Sequence, residues 1–276
     1  MTRICLLSAF ACLLAAEERA VNPTFLRTNL RDARPAASPL TTPTCKASPI
    51  FGEGTPRASV ARGVARVARL TLEPNGNCAP LTLGREEQSW FILNGEGSLN
   101  GRKLSKDDFA YVPAASRIAL SAGAVGLDLL IQGYRVPEGR QGSSELQIAN
   151  ASTVKKQVVG NHPPSTLYQL LIGDTKSTRD KFAAAAVLTS LFIMEITPGG
   201  TNFPHHHDRE EEVYVLLDGE GHMVAGGGSD GVEGKFPAKA GDAYFYRLNT
   251  TVGFYNTGKS TARILAARSL YPFRVP

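Results

Sequence analysis

The sequence predicts an all-β protein made of two tandem β-barrels, and three observations support this prediction. Apolar runs of five to seven residues recur along the chain and are separated by glycine, proline, asparagine and aspartate, as is typical of short strands joined by turns. The 27 glycines and 17 prolines favour turns over long helices. A long segment of the chain also recurs later in the sequence, and 276 residues suffice for two small domains with a core each.

The internal repeat appears without gaps when residues 70–97 are aligned with residues 194–221, an offset of 124. Ten of the 28 aligned positions are identical. Beyond this block residues 106–118 align with residues 240–252 at an offset of 134, because the second copy carries a glycine-rich connection. We therefore predict a first copy at 57–135, a linker at 136–165 and a second copy at 166–276, preceded by a segment at 1–16 and an arm at 17–56.

The first segment, 1–16, has the pattern of a secretory signal peptide. Arg3 precedes an apolar run from Ile4 to Ala16, which is too short to cross a bilayer permanently, so no membrane span is expected. Export predicts a secreted or periplasmic protein; the alternatives are a buried N-terminal helix or a misplaced start codon. The arm at 17–56 is rich in proline, alanine and threonine and is expected to be extended or partly disordered.

Composition restricts the partners. Thirty basic and 25 acidic residues give a net charge of +5, and the densest basic stretch lacks interleaved aromatic residues on which bases would stack. We therefore expect no nucleic-acid partner. The four cysteines include no Cys-x-x-Cys pair, which leaves a thiolate zinc site unsupported, whereas Cys45 and Cys78 can pair in an oxidising compartment.

The strands follow in order. The first copy contains the runs SWFIL, DFAYV and GLDLLIQ, and the second contains SLFIMEI, EVYVLL, DAYFYRL, VGFYN and RILAAR. Residues 181–188, KFAAAAVL, are rich in alanine and predict one or two helical turns before the second copy's strands.

Three residues of the second copy form a candidate metal site. His205 and His207 lie two apart in a stretch expected to be extended, so both imidazoles point the same way. Glu212 follows at the start of a predicted strand that can bring its carboxylate into the same interior. Two imidazoles and a carboxylate suit one divalent transition metal with open positions, so Fe, Mn, Zn, Ni and Co are the candidates.

This segment resembles the cupin superfamily, whose first motif reads G-x5-H-x-H-x3,4-E-x6-G. The residues that satisfy the motif are Gly199, His205, His207, Glu212 and Gly219. The resemblance implies two tandem cupin barrels, each a jelly roll or double-stranded β-helix. In the first copy the ligand positions hold Leu81, Leu83 and Gln88, so only the C-terminal barrel is expected to bind a metal.

The family's second motif, G-x5-P-x-G-x2-H-x3-N, is only partly present. Its proline, glycine and histidine are replaced by Arg247, Asn249 and Val252, so the fourth ligand of the family is missing. Three possibilities follow: the metal keeps three protein ligands, another side chain substitutes, or the domain has lost tight binding. His222, after the GEG turn, is the candidate substitute, with a hydrogen-bonded barrel histidine as the alternative.

Neighbouring side chains are candidates for substrate contact. Tyr214 is expected beside Glu212, and Tyr246 and Arg247 lie on a strand whose inward face the sequence leaves undecided. Arg247 either holds a carboxylate or enolate at the barrel mouth or forms an outward salt bridge. His162, in the predicted linker, is interpreted as a solvated loop residue.

One further pair of residues recurs in both copies. Glu86 and Glu87 align with Glu210 and Glu211, and because the first copy lacks the metal ligands we predict a structural role, such as pairing with Arg85 and Arg209.

The leading functional hypothesis is a metalloenzyme that acts on a small oxygenated molecule, most simply by a dioxygenase-type reaction. Resembling cupins also include isomerases and aminohydrolases, and others are non-catalytic binding or storage proteins, so the fold alone does not choose among them. Exposed strand edges also allow a homodimer.

Overall fold

The computed structural model describes residues 23–227 and 233–271 and confirms the all-β prediction. Within these residues the helical structure consists of two 3-10 turns, Ala58–Val60 and Ala151–Thr153. No helix in the described ranges is long and apolar enough to cross a membrane. The predicted signal peptide at 1–16 lies outside the described residues.

The described strands fall into two series. The strands before residue 160 are β1 Phe25–Asn29, β2 Cys45–Gly52, β3 Val64–Leu72, β4 Leu81–Thr82, β5 Glu86–Leu99, β6 Arg102–Ser105, β7 Asp108–Val112, β8 Arg117–Ile118, β9 Leu120–Arg135, β10 Gln147–Asn150 and β11 Lys156–Gln157. The later strands are β12 Thr166–Asp174, β13 Phe182–Ala185, β14 Leu188–Ile196, β15 Glu210–Asp218, β16 Glu220–Gly226, β17 Glu233–Lys239, β18 Asp242–Tyr246, β19 Thr251–Tyr255 and β20 Ala262–Leu270.

Two large sheets have matching strand orders. One runs β10-β7-β5-β9-β3-β2, with β6 paired to β5, and the other runs β1-β18-β15-β20-β14-β12-β11, with β13 paired to β12. Strands β7, β5 and β3 thus occupy the places of β18, β15 and β14, which are their partners in the sequence repeat. Two smaller sheets, β17-β16-β19 and β4-β8, complete the described structure.

The central strands are buried on both faces, which explains their nearly continuous apolar runs. On β5, Trp90 and Ile92 pack into a core drawn from the N-terminal half of the chain. On β15, Tyr214 and Leu216 pack into a core drawn mainly from the C-terminal half. The alternate side chains of both strands enter a third core to which both halves contribute, with Phe51 and Phe245 6.0 Å apart between ring centroids. The third core joins the two halves.

A reciprocal exchange of hydrogen bonds reinforces this junction. The Glu87 carboxylate accepts backbone N–H bonds from Ala186, Val187 and Leu188 at 2.7–3.0 Å. The Glu211 carboxylate accepts the corresponding bonds from Arg62, Gly63 and Val64 at 2.6–3.1 Å. Both carboxylates are buried, and both sets of residues are related by the offset of 124.

This exchange corrects the prediction that the paired glutamates bind Arg85 and Arg209. The second glutamate of each pair binds backbone of the other half. The first glutamate of each pair meets a different arginine: Glu86 lies 3.0 Å from Arg66, and Glu210 lies 3.4 Å from Arg268. A strand reverses its facing at every residue, so consecutive glutamates serve opposite sides of the sheet.

The structure also corrects the expectations for the arm and the linker. The described part of the arm, from residue 23, contributes β1 to the sheet of the C-terminal half and β2 to that of the N-terminal half. Within 136–165, β10 pairs with β7 and β11 pairs with β12. Residues 182–185, predicted as helix, form β13, because pairing with β12 overrides the helical propensity of alanine. The Cys45–Cys78 disulfide is formed.

Candidate metal centre

His205 and His207 lie in the segment between β14 and β15, where backbone pairing fixes their direction. His205 exchanges two hydrogen bonds with Val252, at 2.8 and 2.9 Å, and the His207 carbonyl accepts a bond from the Asn249 N–H at 2.8 Å. The extended backbone sends both imidazoles to the same side, with ring centroids 5.0 Å apart. His206, between them, is exposed, as expected for the opposite side.

Glu212 meets these imidazoles from the neighbouring strand. It is the third residue of β15, and its side chain is only 2% exposed. One ligand atom each of His205, His207 and Glu212 lies within 4.8 Å of the other two. The three predicted ligands therefore converge on one point.

Two of the converging atoms are buried without a hydrogen bond. The Nε2 atom of His207 and the Oε2 atom of Glu212 lie 3.3 Å apart, and neither makes a hydrogen bond of acceptable geometry. Buried polar atoms are rarely left without partners, so this pair calls for an explanation. A divalent cation, which prefers an imidazole nitrogen and a carboxylate oxygen, would satisfy both atoms.

The other ring nitrogens are held by neighbouring groups. The Nδ1 atom of His205 lies 2.8 Å from the Phe203 carbonyl, which only accepts hydrogen bonds, so Nδ1 carries the proton and Nε2 keeps its lone pair. The Nδ1 atom of His207 lies 3.7 Å from a Glu210 carboxylate oxygen. Such outer contacts fix ring orientation and tautomer in metal sites.

The two imidazoles have opposite pKa shifts. Burial lowers the pKa of His205, with its carbonyl contact opposing the shift. Burial also acts to lower the pKa of His207, but the adjacent Glu212 carboxylate outweighs it and raises this pKa above its ordinary value. His207 is therefore the imidazole that a metal ion must first deprotonate.

A cavity of about 100 Å³ opens over the three ligands. Arg268, on β20, lies opposite Glu212 in the strand register and lines this cavity. Its Nε atom is buried without a hydrogen-bond partner, while its Nη1 atom lies 3.4 Å from Glu210. Sequence reasoning missed Arg268, because the pairing of β15 with β20 spans 56 residues.

The candidate substrate contacts lie on different elements, with Tyr214 on β15, Tyr246 at the end of β18 and Arg247 directly after it. Tyr214 lines the cavity, and its hydroxyl accepts a hydrogen bond from the Asn202 side chain at 3.0 Å. Tyr246 packs behind Tyr214 with ring centroids 5.5 Å apart, and its buried hydroxyl has no hydrogen-bond partner. Burial raises the pKa of both hydroxyls well above the ordinary value, so both stay protonated.

Arg247 takes the other face. Its guanidinium lies 3.5 Å from the Pro23 carbonyl, and its charge acts on the pKa of Glu211 at the junction of the halves. Strand alternation directs Arg247 away from Tyr246, as in the alternative of an outward-facing arginine. Arg268 and Arg179 line the cavity instead.

The two remaining histidines lie in different environments. His222, the candidate substitute ligand, lies on β16 outside the ligand cluster, with Nδ1 3.3 Å from the Thr257 hydroxyl. His162, expected to be a solvated loop residue, lines the cavity. Its ring centroid is 5.3 Å from that of His205, and its Nδ1 lies 2.7 Å from the Asn202 carbonyl. That contact spans 40 residues, and no local sequence signal reveals it.

The equivalent place in the N-terminal half is packed with hydrocarbon and amide groups. Leu81 pairs with Ile118 as His205 pairs with Val252. Gln88 is buried, and its side chain accepts a hydrogen bond from the Trp90 indole at 2.8 Å and donates one to Glu86 at 2.7 Å. These residues satisfy one another without an ion.

Comparison with known proteins identifies the domain around the site. Residues 192–268 match the family described as the cupin domain. No curated protein sequence matches the chain.

Solved structures match nearly the whole chain. Ylba from E. coli is 18% identical, with a TM-score of 0.67, over 95% of this chain and 97% of its own. A Pseudomonas aeruginosa protein described as glyoxylate-induced is 14% identical, with a TM-score of 0.72, over 97% of this chain and 95% of its own. The Bacillus subtilis oxalate decarboxylase, which has Mn(II) centres, is 12% identical, with a TM-score of 0.66, over 90% of this chain and 78% of its own. At these identities the matches show a cupin-like fold.

Proposed function

We propose that the protein is a metal-dependent cupin enzyme that binds one divalent transition metal through His205, His207 and Glu212. The observation that carries this proposal is the convergence of the three ligand atoms within 4.8 Å, two of them buried without hydrogen bonds. Fe, Mn, Zn, Ni and Co all suit two imidazoles and a carboxylate. The Mn(II) centres of the B. subtilis oxalate decarboxylase support a metal in this fold.

The cavity indicates a small, oxygen-bearing substrate. At about 100 Å³ it admits a molecule of a few non-hydrogen atoms rather than a polycyclic one. Arg268 lines it and keeps a buried Nε–H without a hydrogen-bond partner, and a guanidinium suits a carboxylate or enolate oxygen. Tyr168 and Tyr214, protonated because burial raises the pKa of both hydroxyls, line the same space and exclude water from the ligands.

The bound metal would act as a Lewis acid or, if iron or manganese, support dioxygen chemistry. The ligand set favours a dioxygenase-type reaction, and an isomerase or aminohydrolase reaction is the alternative. In each case the protein's part is to orient the substrate with Arg268.

We further propose that the chain is a bicupin, with two tandem barrels of which only the second carries metal. The matching strand orders and the reciprocal bonds of Glu87 and Glu211 support this organisation. A storage or binding protein of the same build is the competing function. Retention of three converging ligands in one half argues against it, since hydrocarbon fills the same place in the other half.

We also propose export of the protein to an oxidising compartment. The Cys45–Cys78 disulfide, which joins β2 to the segment before β4, supports this proposal.

Elemental analysis with a dioxygen assay tests the proposed function. Purified protein should contain close to one equivalent of one of the five metals. The protein is incubated with small carboxylates, diketones and ureido acids, once in air and once under nitrogen. Consumption of dioxygen in air would indicate the dioxygenase-type reaction, and conversion of a compound under nitrogen would indicate the isomerase or aminohydrolase alternative. A protein that contains little metal and converts none of these compounds after reconstitution would favour the storage alternative.

A further inference from the structure

His162 lies outside both cupin motifs, yet the fold brings it to the metal site. It belongs to the segment that precedes β12 and lines the cavity together with His205, His207 and Glu212. Its side chain is partly buried and packs against Tyr168, with ring centroids 5.2 Å apart. The segment is held by a bond from the His162 N–H to the Val159 carbonyl at 3.2 Å.

The spacing of the imidazole rings fits a shared ion. Two imidazoles bound through Nε2 to one ion at roughly 2.1 Å place their ring centroids about 5 Å apart when the bonds are near perpendicular or tetrahedral. The His205 and His207 centroids are 5.0 Å apart, and the His162 and His205 centroids are 5.3 Å apart. The distance from the His162 ring to the His205 ring is therefore close to the distance between the His207 and His205 rings.

The free nitrogen of His162 is the appropriate one. Its Nδ1 atom lies 2.7 Å from the Asn202 carbonyl, so Nδ1 carries the proton and Nε2 keeps the lone pair. Asn202 is fully buried and donates a hydrogen bond to the Tyr214 hydroxyl, which anchors this contact to the barrel core. The same arrangement, a carbonyl on Nδ1, orients His205.

A coordination position is also left open by the barrel itself. Val252, where the resembling family has a histidine, is fully buried beside His205 and has no ligand atom. A ligand for that side of the ion must come from another element.

We infer that His162 is the third imidazole of the metal centre, supplied by the connecting segment in place of the missing strand histidine. Its ligand atom lies outside the 4.8 Å cluster of the other three, so metal binding would draw the segment toward the ion. The inference rests on the proposed function, because it requires the metal at His205, His207 and Glu212.

The test counts imidazoles around Co(II), a probe with both visible absorption and X-ray absorption signatures. The full-length protein is compared with His162→Asn and with His222→Asn, a matched control at a histidine outside the site. Three coordinated imidazoles are expected in the parent and the control, and two in His162→Asn. Chelator competition should show Co(II) affinity reduced by roughly a hundredfold in His162→Asn and unchanged in the control.

The outcomes separate the two proposals. Adding Val252→His to His162→Asn should restore the third imidazole, which excludes general misfolding as the cause of the loss. If the parent binds Co(II) with two imidazoles and His162→Asn matches it, the inference is wrong and the proposed function stands. If the parent binds no Co(II), both fail.

Discussion

The two halves of the molecule share a strand frame and differ in what fills it. Leu81, Leu83 and Gln88 pack against one another and their neighbours where the C-terminal half places His205, His207 and Glu212. Both halves nevertheless keep the buried glutamate that binds backbone of the other half. Packing and the junction therefore maintain the strand frame in both halves, and the candidate metal ligands are present in the C-terminal half.

The largest difference between the two halves should appear when the imidazoles of His205 and His207 are removed. His205→Ala with His207→Ala should abolish metal binding, because one carboxylate does not hold the ion. The matched change, Leu81→Ala with Leu83→Ala, should leave metal content unaltered and lower the free energy of unfolding by about 2–5 kcal/mol for the buried Leu83 and by less for the half-buried Leu81. Elemental analysis and urea denaturation check both. Equal metal in the two variants would contradict the assignment.

Acidification should release the metal from the C-terminal half. The ligands bind as neutral imidazoles, and the raised pKa of His207 means that protons compete with metal at a higher pH than at an ordinary histidine. Metal content after dialysis should therefore fall as the pH decreases through the range in which histidine is protonated, and vanish near about pH 4. Full retention at pH 4 would exclude histidine ligation.

The junction should respond alike from both sides. Glu87→Ala and Glu211→Ala each leave three backbone N–H groups without their acceptor, two of them buried, so each should lower the free energy of unfolding by on the order of 3 kcal/mol. Denaturant titration of both variants provides the measurement. A large effect from one glutamate and none from the other would break the symmetry that the two halves display.

A smaller difference between the halves is expected when a histidine is added at equivalent positions. In the His162→Asn background, Val252→His places an imidazole beside His205 and should tighten metal binding roughly tenfold, whereas Ile118→His, its counterpart, should bind none because Leu81, Leu83 and Gln88 offer no imidazole or carboxylate. Competition with a chelator measures both. Unchanged affinity in Val252→His would mean that position 252 does not face the ion.

The sequence predicted those parts of the site that lie close together along the chain. His205, His207 and Glu212 fall within eight residues, so strand alternation and a motif suffice to bring them together. His162 and Arg268 reach the cavity through loop packing and strand pairing over long separations, which no local pattern encodes. The direction of the Arg247 side chain could not be predicted for the same reason, because the Pro23 carbonyl that it contacts is distant in the sequence.

The same reasoning holds for the fold. Short apolar runs and the repeat predicted the strands of both halves. Strands β1 and β10 come from segments of weak periodicity, and they form because they pair with the edges of the two sheets. The alanine-rich run at 182–185 is a strand for the same reason.

The most direct test of the central claim is anomalous diffraction from crystals grown with Co(II). We expect one strong anomalous peak at about 2.0–2.2 Å from Nε2 of His205, Nε2 of His207 and a carboxylate oxygen of Glu212, and no peak beside Gln88. A map without a peak among these three side chains, or with its peak elsewhere in the molecule, would contradict the claim.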